Sequence, residues 1–107
     1  MNVDINPNGN NLDIRMAGEL TIYNAGDLRQ RCMEIILRAS SGMDARIDMS
    51  EVTEIDGSGI QLLIILKREL LTLGMFTKVV SWSPTVAETF NFVGIPEFLT
   101  EGPAWVE

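Results

Sequence analysis

Residues 45–66 read ARIDMSEVTEIDGSGIQLLIIL, a stretch that passes from a predicted strand into a predicted helix. Apolar and polar side chains alternate over 45–49, which is the period of a strand with one buried face. The polar residues 50–54 predict a connection, and strong helix formers fill Ile60–Leu73. Between them lies the sequence DGSG at 56–59, so we expect a serine flanked by glycines at the start of a helix.

The same periodicities predict the elements on both sides of this stretch. An opening hairpin followed by alternating helices and strands favours a mixed sheet with right-handed crossovers and helices packed against it. The fold class is therefore α/β, with about four strands and three to four helices in a single domain spanning 1–107. Residues 95–107 are expected to form a short irregular cap. The further elements are strands at Val3–Ile5 and Asn11–Ala17, a helix at Asn24–Ser41 ended by Gly42, a strand at Phe76–Ser81, and a helix from the N-cap Ser83 to Gly94.

Composition excludes several classes of function. The formal net charge is −7 and the eight basic residues are scattered, so direct binding to nucleic acid is not expected. The longest apolar run, Leu62–Leu66, is far shorter than the roughly 20 residues of a membrane span, and the N-terminus lacks a signal-peptide pattern. The single cysteine, Cys32, lies on the apolar stripe of a predicted helix and is expected to be a buried structural thiol. A location in the reducing cytoplasm fits these features.

Most catalytic arrangements lack their parts in this chain. There is no histidine to act as a base or a metal ligand, and one cysteine cannot build a thiolate cluster. The sequence GSG at 57–59 resembles a hydrolase elbow only superficially, because that turn needs a histidine partner. It also does not extend to a phosphate-binding P-loop. We therefore predict a protein that is not an enzyme and that has no cofactor and no metal site.

Ser58 is the candidate functional residue, and physical chemistry leaves two roles open for it. Free backbone N–H groups and the positive end of a helix dipole would stabilise a phosphate there, so the position suits reversible phosphorylation. Alternatively, Asp56 or Ser58 simply caps the helix, as such residues often do. The local pattern alone favours the cap.

The chain resembles the STAS family, named after sulfate transporters and anti-sigma factor antagonists. The resemblance is carried by Gly18-Glu19-Leu20, by residues 47–63 with the sequence IDMSEVTEIDGSGIQLL, and by Ser81–Ile95 with its Ser-Pro start and closing FNFVGI. It implies a STAS-like mixed sheet for nearly the whole chain. It also implies an anti-sigma factor antagonist-like protein that acts through switchable protein contact.

In the antagonist branch of the family the familiar motif is Asp-Ser-Ser-Gly, whose second serine is phosphorylated by a kinase that is also the anti-sigma factor. The resemblance therefore implies Ser58 as the acceptor, supported by Asp56, Gly57 and Gly59, with Gly57 in place of the first serine. Many phosphorylatable members carry an aspartate after Gly-Glu-Leu, where this chain has Thr21. The implied partners are that serine kinase and a cognate phosphatase, or another signalling protein. Candidate contact residues are Thr21, Asn24, Glu54, Ile60 and Gln61.

Three other functions are weighed against this one. Small STAS proteins also resemble subunits of ABC-type phospholipid transport complexes and adaptors of chemotaxis-type signalling clusters. A serine at the acceptor position favours the phosphorylated switch, whereas a Gly-Glu-Leu-Thr sequence without the aspartate is compatible with the transporter subunit. A nucleotide-hydrolysing enzyme is the least favoured, because the P-loop and histidine are missing. Client, kinase and oligomeric state are not determined by the sequence.

Overall fold

The computed structural model describes residues 1–94, and the predicted cap at 95–107 lies outside them. A single four-stranded sheet has the spatial order β1-β2-β3-β4, in which β1 is antiparallel to β2 and the other pairs are parallel. The predicted mixed α/β architecture is confirmed. The strands are β1 (Asn2–Asn8), β2 (Asn11–Leu20), β3 (Asp44–Ile55) and β4 (Phe76–Trp82), and the helices are α1 (Ala25–Leu37), α2 (Gly57–Thr72) and α3 (Pro84–Phe92).

All three helices pack on one face of the sheet and enclose the core with it. Side chains alternate between the two faces of a strand, so alternate residues in the regular parts of β2 and β3 point toward the helices. The other face carries polar residues such as Asp13, Arg15 and Arg46. An ion pair between Arg15 and Glu51 joins β2 to β3. The most deeply buried core side chains are Leu12, Ile14, Met16, Leu20, Leu28, Ile35, Ile47, Met49, Leu63, Leu66 and Phe90.

Strand β3 is longer than predicted, since residues 50–54 continue the strand and do not form a connection. The alternation is broken because the pairing of β3 shifts register, and Ser50 and Glu51 are therefore both exposed before Val52 is buried. β2 supplies hydrogen-bond partners as far as the pair Leu20 and Ile55. Residues 50–54 therefore belong to the part of the β2–β3 pair that extends beyond β4.

The helix ends also differ from the predicted ones. Helix α1 ends at Leu37, four residues early, and Gly42 instead lies in the turn before β3 with φ = 89°. Helix α2 begins at Gly57 and not at Ile60. A 3-10 turn at Ile22–Asn24 leads directly into α1, so the Asn24 side chain does not cap that helix.

Two sequence predictions about single residues are confirmed in the fold. Ser83 caps α3, because its Oγ accepts a hydrogen bond from Val86 N at 3.3 Å and donates one to the carbonyl of Val52 at 2.7 Å. Cys32 is buried, and burial raises the pKa of its thiol to about 11. Within residues 1–94, no helix combines the length and the apolar character that crossing a membrane requires.

Candidate functional site

The candidate site lies where the parallel strands β2 and β3 end and α2 begins. Ile55 is the last residue of β3, Asp56 is extended with φ = −123° and ψ = −174°, and α2 starts at the next residue. The carbonyl of Leu20, at the end of β2, accepts a hydrogen bond from Asp56 N at 3.2 Å. Two strand ends and one helix N-terminus are therefore held together by backbone contacts.

Asp56 binds three backbone N–H groups from two different segments. One carboxylate oxygen, Oδ1, accepts hydrogen bonds from Ser58 N at 2.9 Å and Gly59 N at 3.1 Å, which makes Asp56 the N-cap of α2. The other oxygen, Oδ2, accepts one from Ile22 N at 2.9 Å. The hydrogen bond from Ile22 chiefly lowers the pKa of Asp56, and those from Gly59 and Ser58 add to the effect. The carboxylate is therefore ionised at neutral pH and connects the β2–α1 turn to α2.

Ser58 is the second residue of α2 and is partly exposed. Its backbone N–H is taken by Asp56, but its hydroxyl forms no hydrogen bond within residues 1–94. The sequence allowed either Asp56 or Ser58 to cap α2, and in the structure Asp56 is the cap. The Ser58 hydroxyl is left available at the positive end of a helix dipole.

The two glycines beside Ser58 differ in whether packing requires a glycine at their positions. A Cβ built on Gly59 would lie 2.1 Å from the carbonyl oxygen of Leu20, so only glycine allows α2 to approach β2 this closely. A Cβ on Gly57 would meet nothing within 4 Å. Gly59 is therefore required by packing, whereas position 57 has room for a Cβ such as that of the serine in the familiar Asp-Ser-Ser-Gly motif.

An open groove of about 410 Å³ lies beside Asp56, and we call it the acidic groove. The side chain of Tyr23 is 90% exposed at its edge, and the adjacent Ile22 is 61% exposed. Sequence reasoning missed this exposed pair, because an apolar residue near a strand end is normally assigned to the core. The groove is lined by Glu19, Thr21, Tyr23, Glu54, Ile55, Asp56 and Thr85.

The predicted contact residues fall into two groups. Glu54 and Gln61 are exposed, and Asn24 is half-buried with its Nδ2 donating to the carbonyl of Glu19 at 2.8 Å. Thr21 and Ile60 are only 8% and 7% exposed, and of the two Thr21 lines the acidic groove. Ile60 is the fourth residue of α2 and packs in the core.

The described residues offer no ready site for a metal ion. Among positions 1–94, no group of three or more His, Cys, Asp or Glu side chains is arranged to hold one. The arrangement at the end of β3 can instead present a hydroxyl, a helix N-terminus and an acidic surface to another molecule.

The family of the chain follows from comparison with known proteins. The sequence model of the STAS domain matches residues 2–105. The chain belongs to the STAS family. This STAS chain is 25% identical over 99 residues to the anti-sigma-B factor antagonist of Bacillus subtilis (strain 168), covering 92% of this chain and 88% of that protein.

Solved structures share the fold. The anti-sigma factor antagonist SpoIIAA in its unphosphorylated form superposes with a TM-score of 0.66 at 23% identity, over 89% of this STAS chain and 83% of that chain. The Bacillus cell fate determinant SpoIIAA in its phosphorylated form gives a TM-score of 0.61 at 23% identity, over 88% and 85% of the two chains. The predicted STAS-like architecture is thereby confirmed.

Proposed function

We propose that this STAS protein is an anti-sigma factor antagonist, a regulatory protein that does not act as an enzyme. In its unphosphorylated form it binds an anti-sigma factor that is also a serine kinase, and a sigma factor is released. The kinase phosphorylates Ser58, binding weakens, and a phosphatase restores the first form. The observation that carries this proposal is the Ser58 hydroxyl, partly exposed and without a hydrogen bond within residues 1–94, in the first turn of α2.

The local chemistry supports phosphoryl transfer to Ser58 by a partner. In that transfer a bond forms between Ser58 Oγ and the γ-phosphorus of ATP, and the bond from that phosphorus to the β-phosphate oxygen breaks. The hydroxyl proton passes to a base on the kinase, as in protein kinases, where a catalytic aspartate accepts it. Asp56 is a weak base for this step, because its backbone hydrogen bonds lower the pKa of the carboxyl group.

Phosphorylation changes the electrostatics of the contact. A phosphoserine carries a charge of about −1.5 to −2 at neutral pH. Immediately after transfer this charge faces the ADP that remains on the kinase, and the ionised Asp56 lies two residues away. Repulsion between the phosphate and the ADP acts across the interface and weakens the complex, and no change of fold is required.

The test uses two Ser58 variants and a charge control. Ser58→Ala should retain the native partner and escape phosphorylation, and because Asp56 is the cap it should change the unfolding free energy by less than about 0.5 kcal/mol. Ser58→Asp should fold normally and bind the partner more weakly. Ser40→Asp, at an exposed position after α1, adds the same charge elsewhere and should bind normally.

The readouts are co-purification of the partner from the native cells and mass spectrometry of position 58 in the wild-type protein. If Ser58 is never modified and both Ser58 variants hold the partner like wild type, the switch is refuted. A constitutive subunit of a transport complex then replaces it.

A further inference from the structure

The turn between β1 and β2 contains the only asparagine of the chain that precedes a glycine. Asn8 is the last residue of β1 and pairs with Asn11, so Gly9 and Asn10 form a two-residue turn. Gly9 has φ = 63°, and a glycine in the left-handed region at the first turn position is typical of a type II′ hairpin turn. Asn8, Gly9 and Asn10 are all exposed. The tip of the hairpin therefore presents an asparagine-glycine pair to water.

The backbone nitrogen of Gly9 is the group that can react with the Asn8 side chain. It donates no hydrogen bond within residues 1–94, so neither the sheet nor a side chain holds it. Glycine has no Cβ, and even a Cβ added at position 9 would meet nothing within 4 Å, so the nitrogen can approach Asn8 Cγ without a steric barrier. Strand ends open locally at little free-energy cost, which lets the turn reach the geometry needed for ring closure.

We propose that Asn8 is a site of spontaneous deamidation. The Gly9 nitrogen loses its proton to hydroxide and forms a bond to Asn8 Cγ, and the bond from Cγ to Nδ2 breaks. The side-chain nitrogen takes a proton from water and leaves as ammonia, and a five-membered succinimide ring remains in the backbone. Water then opens the ring at either carbonyl carbon. The products are aspartate and isoaspartate, in which the main chain passes through Cγ.

Asp56-Gly57 is the other place in the chain where the same ring can form, and the structure disfavours it there. The Asp56 carboxylate accepts three backbone hydrogen bonds that fix it at the start of α2. A carboxylate is also a poor target for a nitrogen nucleophile. The Asn8 side chain is an uncharged amide with one hydrogen bond, from its Nδ2 to Asp13. The reaction is therefore expected at Asn8 and not at Asp56.

Deamidation would reverse a contact that stabilises the hairpin. In the unmodified chain Asn8 Nδ2 donates a hydrogen bond to Asp13 Oδ2 at 3.0 Å. The product has a carboxylate oxygen in place of the donor, so two anionic groups face each other across the strand pair. Isoaspartate also lengthens the main chain, which disturbs the register of β1 on β2. Val3 and Ile5 of β1 are packed against the core, so a loosened β1 uncovers apolar surface and one edge of β2.

The experiment uses the purified full-length protein and no partner. The protein is incubated at neutral and at alkaline pH, and mass spectrometry of the peptide 1–15 follows the replacement of an amide by an acid at each asparagine. Asn8 should react at least about tenfold faster than Asn10, because the residue after Asn10 carries a side chain. Asn6 should stay intact, because the following Pro7 has no N–H to attack with. The rate at Asn8 should rise with pH, since the attacking nitrogen must lose its proton.

Variants connect the reaction to the hairpin. Asn8→Gln keeps the side-chain amide but needs a six-membered ring, so its peptide should remain unmodified at position 8. Asn8→Asp carries the charge of one product from the start, and its β1 backbone amides should exchange with deuterium about two- to fivefold faster than those of wild type. In an Asp13→Asn background the same substitution should have no such effect, because the second carboxylate is absent.

Equal rates at Asn8 and Asn10, or an intact Asn8 after prolonged alkaline incubation, would refute the deamidation site. Isoaspartate forming at Asp56 as fast as at Asn8 would refute the selectivity that the hydrogen bonds of Asp56 imply. Unchanged deuterium exchange in Asn8→Asp would refute the effect on the hairpin. The hairpin and Ser58 lie near opposite ends of β2, so each of these results is independent of the proposed switch.

Discussion

Replacing Gly59 by alanine tests whether the approach of α2 to β2 fixes the candidate site. The new Cβ would lie 2.1 Å from the carbonyl oxygen of Leu20, and ordinary contact begins near 3.4 Å. The two backbones must therefore separate by about 1.3 Å, the difference between these distances. That movement breaks the hydrogen bond from Asp56 N to the same carbonyl, which is 3.2 Å long in the native fold.

The expected loss of stability combines two contributions. Forcing an extra carbon into a packed contact costs about 1–3 kcal/mol, and a lost backbone hydrogen bond adds about 1 kcal/mol. We therefore expect Gly59→Ala to reduce the unfolding free energy by about 2–4 kcal/mol, which corresponds to a decrease in Tm of about 10–20 °C. Gly57→Ala is the matched control, because it removes a glycine from the same turn without any collision.

Urea and thermal unfolding followed by circular dichroism measure both variants. Gly57→Ala should remain within about 1 kcal/mol of wild type, with any change toward higher stability because alanine favours helix more than glycine does. If Gly59→Ala is as stable as Gly57→Ala, the close approach of α2 to β2 is not the reason why position 59 is a glycine. The packing reason for Gly59 would then be refuted.

Two further substitutions test the hydrogen bonds around the site. Asp56→Asn cannot accept from both segments and should lose about 1 kcal/mol at pH 7. The folded pKa of Asp56 lies below its ordinary value of 3.8, so its contribution is complete above that pH and is lost as pH falls through the folded pKa. The difference from wild type in urea unfolding should therefore shrink as the pH falls from about 4 to about 2, and a constant difference contradicts this. Ser83→Ala removes the cap of α3 and should reduce the unfolding free energy by about 1–2 kcal/mol in the same assay. Thr85→Ala, in the first turn of α3, is the control and should reduce it by less than about 0.5 kcal/mol. Equal losses in the two variants would exclude the capping role of Ser83.

The order of elements could be predicted from the sequence because most strands keep strict alternation and most helices keep one apolar stripe. Strand β3 was predicted too short, since a register shift places two consecutive polar residues on the surface. No local pattern reveals such a shift, because it arises from pairing with neighbouring strands. The start of α2 was predicted late for a related reason: glycines weaken the helix signal, although Asp56 caps the helix from outside.

The site was predictable only in part. The serine between two glycines and the preceding aspartate stand next to each other in the sequence, so Ser58 and its cap could be anticipated. The acidic groove joins Glu19, Thr21 and Tyr23 to Glu54, which is more than thirty positions away in the chain. Its existence depends on the parallel pairing of β2 and β3, and neither the exposure of Tyr23 nor the burial of Thr21 follows from residue type.

The three hydrogen bonds of Asp56 have a kinetic consequence. They join the β2–α1 turn to α2 in the unbound protein, so the surface around Ser58 is already assembled before a partner arrives. We therefore expect association without a slow ordering step, at a rate that depends on diffusion and on the field of a chain with net charge −7. Added salt should slow capture of a basic partner much more than it alters the lifetime of the complex. If the proposed switch operates, each of its cycles would then be limited by encounter and phosphate chemistry.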